Sequence, residues 1–188
     1  MKMKKVKRCG WCKGDSLYEK YHDAEWGKLA TDDKKMFEFL TLESAQAGLS
    51  WITILRKREN YRKAFANFDV KKVAKFGDED VEKLLKNEGI VRNRLKIISA
   101  ISNAKHFIDI QKEFGSFCNY IKTFFPSGKP VINKPKSLAD IPARTDISDA
   151  IAKDMKKRGF KFFGTTICYA HLQATGWVND HLVNCDFR

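Results

Sequence analysis

Apolar residues recur along this chain at helical spacing rather than in strict alternation. Thr31, Asp32 and Asp33 open a segment in which Met36, Phe37, Leu40 and Ala47 stay apolar until Gly48 closes it. Ser50 is expected to cap a second helix, WITILRKRENYRKAF, with an apolar front and a basic tail. Asp69 and Asp78 are predicted caps for VKKVAKF and EDVEKLLKN, the latter stopped by Gly89. A long helix is predicted from Asn93 to Lys112, and a shorter one over FCNYIKTFF.

The chain then changes character. Its four prolines (126, 130, 135 and 142) all fall in PSGKPVINKPKSLADIP, which reads as an extended surface loop. Two helices follow: DAIAKDMKKR, expected to be capped by Ser148 and ended by Gly159, and TTICYAHLQAT, running from Gly164 to Gly176. No period-2 strand pattern, repeat or low-complexity tract interrupts the series. The expected fold class is all-α, one domain over residues 1–188, with residues 1–8 a basic N-terminal extension.

Composition agrees and adds a partner. A chain of 188 residues with 43% apolar content can bury one sizeable core. Thirty-six basic against 23 acidic side chains leave a net charge of +13, which points to a polyanion. No run of 18 apolar residues occurs, so no membrane partner is expected. MKMKKVKR leads into CGWCKGD rather than an apolar segment, so it does not read as a signal peptide. The expected location is the cytoplasm, with association to the nucleoid through DNA. Five scattered cysteines fit a reducing compartment and metal ligation or burial better than a disulfide framework.

Three constellations carry chemistry. The first is the hairpin GFKFFG between the last two helices, where Gly159 and Gly164 allow close backbone approach and the helix start at Thr165 favours an anion. Lys156, Lys157, Arg158 and Lys161 would add phosphate neutralisation. An ordinary helical hairpin with a solvated basic face has the same sequence. The second joins the chain ends: Cys9 and His22 with His181 and Cys185, the last two as H-x3-C, a spacing of one helical turn. Two Cys and two His suit one structural Zn²⁺, although Cys9 and Cys12 form a competing C-x2-C. The third is Glu43, set in an apolar helix pattern with Trp51 downstream and Trp11, Tyr18, Tyr21 and Trp26 upstream. A carboxylate among stacking rings suits a flipped cationic base, and a surface Glu beside core aromatics fits the same spacing.

These stretches meet in one family. RCGWC, LYEKYHDAEWG, LESAQAGLSW, KRGFKFFGTTICY and VNDHLVNC closely resemble DNA-3-methyladenine glycosylase I, over about Arg8 to Cys185. The N-terminal extension and the loop around residues 112–147 lie outside the matched motifs. The resemblance implies a helix-hairpin-helix glycosylase fold with a zinc site joining the termini, held by Cys9, His22, His181 and Cys185. It implies Glu43 as the base-recognising carboxylate, with Trp11, Tyr21 and Trp51 lining the pocket and Tyr18 beside them. Leu49, next to Gly48 at a helix end, becomes the candidate wedge for the gap left by a flipped base.

The partners so implied are duplex DNA containing 3-methyladenine and free 3-methyladenine as product, for a protein acting as a monomer. One departure from the wider superfamily stands out. Where relatives carry a catalytic Asp or a Lys nucleophile, this chain has Asn179 with Asp180 beside it, and Thr165 and Thr166. Strand cleavage through a Schiff base is therefore not expected. A non-enzymatic damaged-base reader and a zinc-stabilised RNA-binding module share the charge and the cysteine/histidine pattern. Neither explains a Glu placed among aromatics.

Overall fold

The computed structural model describes residues 6–188, so most of the basic extension, Met1 to Lys5, lies outside the described residues. The described residues form nine α-helices: α1 (Ser16–Ala24), α2 (Asp33–Gln46), α3 (Trp51–Ala64), α4 (Val70–Val73), α5 (Asp78–Lys86), α6 (Arg94–Phe114), α7 (Phe117–Lys122), α8 (Asp146–Lys157) and α9 (Thr165–Ala174). The all-α expectation is met. Among the described residues no helix is long and apolar enough to cross a membrane.

Helix α2 is the axis of the core. Asp32 caps it by accepting from the Lys34 and Lys35 amides, and every residue from Met36 to Ala45 is buried against surrounding elements that include α3, α6, α7 and α9. A helix buried all round forces its polar members inside too, which is how Glu38 and Glu43 come to lie in the core. Asp33, just inside the same helix, accepts from the Phe117 and Cys118 amides and so fixes the start of α7.

Several local expectations need correction. Ser148 does not cap α8: Thr145 does, accepting from the Ser148 amide, while Ser148 Oγ accepts from the Thr145 N–H as the returning half of a capping box. Gly77 rather than Asp78 takes the cap position of α5, its N–H bound by Asp80. The helix at FCNYIKTFF stops at Lys122. The proline-rich stretch is not purely loop either. Val131–Ile132 (β1) pairs in parallel with Val178–Asn179 (β2), and Leu138–Asp140 forms a 3-10 turn. Two residues of pairing are too short to leave a period-2 signal, and the partner strand lies far along the chain.

Candidate base pocket, metal cluster and hairpin

A cavity of about 300 Å³ opens between the N-terminal segment, α1, α2, α3 and α9, at the lower end of the size range for small-ligand sites. Trp11 reaches it from a 3-10 turn (Gly10–Cys12), Tyr18 and Tyr21 from one face of α1, Glu43 and Gln46 from α2, and Trp51 from the first position of α3. The structure thus brings together all five pocket residues expected from sequence. Trp11 meets Tyr18 edge-on at 4.9 Å and Trp26 at 5.0 Å, and Tyr21 lies 5.6 Å from Trp51.

Five further lining residues escaped the sequence reading: Gln46, Leu138, Ile141, Ala170 and Gln173. Leu138 and Ile141 come from the proline-rich stretch outside the matched motifs, folded over the cavity beside Gly10. Nothing in their spacing marks them, because they reach the pocket through a loop rather than a periodic element.

The electrostatics of the cavity are set by Glu43. It is buried, and among the described residues no cation pairs with it and no donor bonds to it. Desolvation alone pushes its carboxyl up to about 8, so at neutral pH the side chain on its own is a protonated acid. The expectation of a resident carboxylate thus meets a burial cost that a positive ligand would offset. Burial, with Glu43 nearby, also holds the Tyr21 phenol well above its ordinary range. Trp51 adds an indole N–H with no partner among the described residues, a donor left over at the wall.

Behind this pocket lies the cluster of Cys9, His22, His181 and Cys185, all buried, with ligand atoms within 4.8 Å of one another. Cys185 Sγ is 3.4 Å from His181 Nδ1 and 3.6 Å from His22 Nε2, and Cys9 Sγ is 3.7 Å from His181 Nδ1. A tetrahedral Zn²⁺ with its usual bond lengths sets ligand separations of about 3.3–3.8 Å. The outward nitrogens are already engaged: His22 Nδ1 with Asp23 at 2.8 Å and His181 Nε2 with the Trp26 carbonyl at 3.0 Å. Such outer partners fix which nitrogen faces inward. Arg8 grips Asp23 through Nε and Nη2, so the last residue of the expected extension is part of this support. Cys12 points elsewhere, donating to the Cys9 carbonyl. His181 and Cys185 do not share a helix as their spacing had implied. A turn closed by Cys185 N to Leu182 O brings them together.

The hairpin between α8 and α9 is built from Arg158 to Gly164. Gly159 sits at φ +95°, where a Cβ would lie 2.7 Å from His106 Nε2, so only glycine fits. Phe160 and Phe163 are buried anchors, and Asn103 of α6 clamps the Lys161 backbone through both its N–H and its C=O at 2.9 Å. An amide on a distant helix with this role carries no sequence signature. Gly164 stands open at the start of α9, while Thr165 Oγ1 is tied to Asp149 and Ser148.

Charges here divide sharply. Arg158 pairs with Glu113 and Asp154 and lies 5.3 Å over the rings of Phe114 and Tyr120, so its guanidinium is already engaged by its own chain. Lys156, Lys157 and Lys161 are exposed, with no ion pair among the described residues. Asp180 is buried and accepts from Tyr169, Gln173 and Asn133. It holds α9 against the β1 segment. Leu49 lies exposed on the turn between α2 and α3.

Comparison with known proteins agrees with this geometry. The family model described as methyladenine glycosylase matches residues 11–188. The DNA-3-methyladenine glycosylase 1 of Escherichia coli K12 is 49% identical over 96% of this chain and 96% of its own. The DNA-3-methyladenine glycosylase of Haemophilus influenzae Rd is 45% identical over 95% of this chain and 96% of its own. A solved variant of 3-methyladenine DNA glycosylase I in complex with 3-methyladenine superposes with a TM-score of 0.92 at 34% identity, covering 95% of this chain and 96% of that one.

Proposed function

The chain belongs to the methyladenine glycosylase family, and from that premise we propose how its own residues carry out the reaction. It is a base-excision-repair glycosylase that hydrolyses the N-glycosidic bond of 3-methyladenine in DNA. The observation that carries the mechanism is Glu43: a buried acid without a cationic partner, lining a cavity walled by Trp11, Tyr18, Tyr21 and Trp51.

N3-methylation places a positive charge on the adenine ring, which weakens its bond to the sugar. A pocket that only holds and orients such a base supplies most of what is needed. When the flipped cation enters, Glu43 gives its proton to solvent and accepts a charge-assisted hydrogen bond from the exocyclic N–H, taking a proton back once the neutral base has left. The aromatic walls hold the ring faces. The C1′–N9 bond breaks with both electrons passing to the base, which leaves neutral. Water adds to C1′ and its proton goes to solvent. No lysine stands at Thr165 or Thr166, so the product is an intact strand with an abasic site and the enzyme has no lyase activity.

Leu49 fills the vacated stack, while the exposed lysines at 156, 157 and 161 and the helix-start backbone at Gly164 and Thr165 hold the phosphates, with Gly159 shaping the turn that presents them. Arg158 orders this face rather than touching DNA. One Zn²⁺ on Cys9, His22, His181 and Cys185 closes the termini. Four protein ligands leave it no open position, so the role is structural. The protein works as a monomer in the cytoplasm, associated with the nucleoid through DNA. The decisive test replaces Glu43 by Gln and measures base release from methylated duplex DNA. Undiminished release would remove Glu43 from the mechanism.

A further inference from the structure

Lys96, in the first turn of α6, reaches across to the end of α2. Its Nζ donates to the Ala45 carbonyl at 2.9 Å and to the Ala47 carbonyl at 2.6 Å. Because α2 ends at Gln46, the helix itself has no later turn to take up these oxygens, and the ammonium also faces the negative end of the helix dipole.

The next residues form the turn that carries Leu49. Gly48 sits at φ +80°, and a side chain added there would meet nothing within 4 Å, so the turn is open on its outer side. Leu49 follows, 42% exposed, its N–H bound to the Gln46 carbonyl at 2.6 Å. The ends of this turn carry pocket residues: Glu43 and Gln46 before it, and Trp51 after it. Opening a base stack costs a few kcal/mol, and that resistance pushes back on whatever is inserted. A turn containing an open glycine yields unless something behind it is fixed.

We propose that Lys96 is a positioning residue for base extrusion: by holding the end of α2 it sets the 47–50 turn so that Leu49 enters the duplex in register with the Glu43 pocket. The inference rests on Leu49 being the wedge, and it assigns Lys96 no contact with the base. Its signature is selectivity. Work done against base stacking is needed for duplex DNA, less for separated strands, and not at all for the free base.

Lys96→Met is therefore compared with wild type on methylated duplex DNA, on the same DNA after strand separation, and for affinity towards free 3-methyladenine. Single-turnover release from duplex is expected to fall about tenfold or more, the scale on which misplacement of a reacting group is felt. Release from separated strands and free-base affinity should stay within about threefold. Lys96→Arg, which keeps a cation within reach of both carbonyls, should recover most of the duplex rate.

An equal loss on all three ligands, or no loss on duplex, would overturn the assignment. If Lys96→Met does not fold, Lys96→Gln, which keeps a donor and drops the charge, is read in the same way. Leu49→Ala, run in parallel, separates the two readings. A duplex-selective loss in Leu49→Ala without one in the Lys96 variant sinks only the role of Lys96. No such loss in Leu49→Ala sinks the wedge itself.

Discussion

Glu38 and Glu43 lie on the same helix and are almost equally buried, at 7% and 4% exposure, yet of the two only Glu38 has cationic partners among the described residues. Arg58 and Arg62 each donate to Glu38 Oε1 at 2.8 Å. Burial would raise the Glu38 carboxyl, but these two guanidinium groups outweigh it and hold it below its ordinary range. Glu43 has burial alone and is pushed up to about 8. One acid is finished as structure. The other keeps an unmet demand for positive charge, and the proposed recognition of a cationic base rests on that demand.

The first prediction follows from that value. An acid whose pKa is raised on folding contributes stability that is complete below its unfolded pKa and is lost as pH rises through the folded one. For Glu43 the loss runs from the ordinary carboxylate range to about 8. Glu43→Gln removes this dependence, so its melting temperature should gain on wild type by on the order of 10 °C between pH 5 and pH 9. Parallel pH–melting curves for the two proteins would contradict a protonated Glu43 in the free protein.

The same acid should give up its proton to a cation. Titration with N3,N9-dimethylated adenine, a permanent cation, at pH 7 should release close to one proton, read from the difference in heat between two buffers of unlike ionisation enthalpy. Glu43→Gln should release none and bind on the order of 100-fold more weakly, the scale of one desolvated charge-assisted contact.

The metal cluster separates its two candidate ligand sets. Cys185→Ser should lose Zn²⁺ and lower the melting temperature by about 10 °C or more, because four buried ligands tie the two chain ends. Cys12→Ser should keep the metal, since Cys12 Sγ is committed to the Cys9 carbonyl. Zinc content of the purified variants decides the matter, and the reverse pattern would replace Cys185 with Cys12.

Sequence patterns revealed whatever depends on residue type at fixed spacing. The helices and the pocket aromatics on α1 belong to that class, whereas the Cys/His set, spread over both chain ends and not on a shared helix, came from the motif resemblance. Three things were invisible for physical reasons. Ser148 looks like a cap because capping and capping-box residues share one chemistry, and only the backbone tells Thr145 from Ser148. Leu138 and Ile141 reach the pocket through an irregular loop, for which no period exists. Arg158 and Lys157 read alike as basic residues until Glu113, Asp154 and two rings are seen around one of them.

That contrast sets the DNA-binding prediction. Replacing Lys156, Lys157 and Lys161 together by Ala should weaken damaged and undamaged duplex alike and flatten the salt dependence by about 0.9 per lost phosphate contact. Arg158→Ala should instead lower the melting temperature and leave the salt slope nearly unchanged, because its charge is already met by Asp154 and Glu113. A flattened slope in Arg158→Ala would return that residue to the phosphate face.

The last prediction concerns selectivity among cationic bases. 7-Methylguanine carries a positive charge as 3-methyladenine does, so charge alone cannot separate them. What differs is the edge offered to Glu43. Adenine presents an exocyclic N–H donor, whereas guanine presents a carbonyl at the same place. A carboxylate facing that carbonyl is repelled, and a protonated Glu43 could donate to it only while the base charge disfavours the proton. Methylated duplex DNA incubated with the protein should therefore release 3-methyladenine at least about 100-fold faster than 7-methylguanine, the discrimination expected when a buried polar group is mispaired. The strand should remain unbroken on a denaturing gel run without alkali, and borohydride should trap nothing. Comparable release of both bases would show that Glu43 reads charge without reading the edge, and a strand break would point to a nucleophile this pocket does not contain.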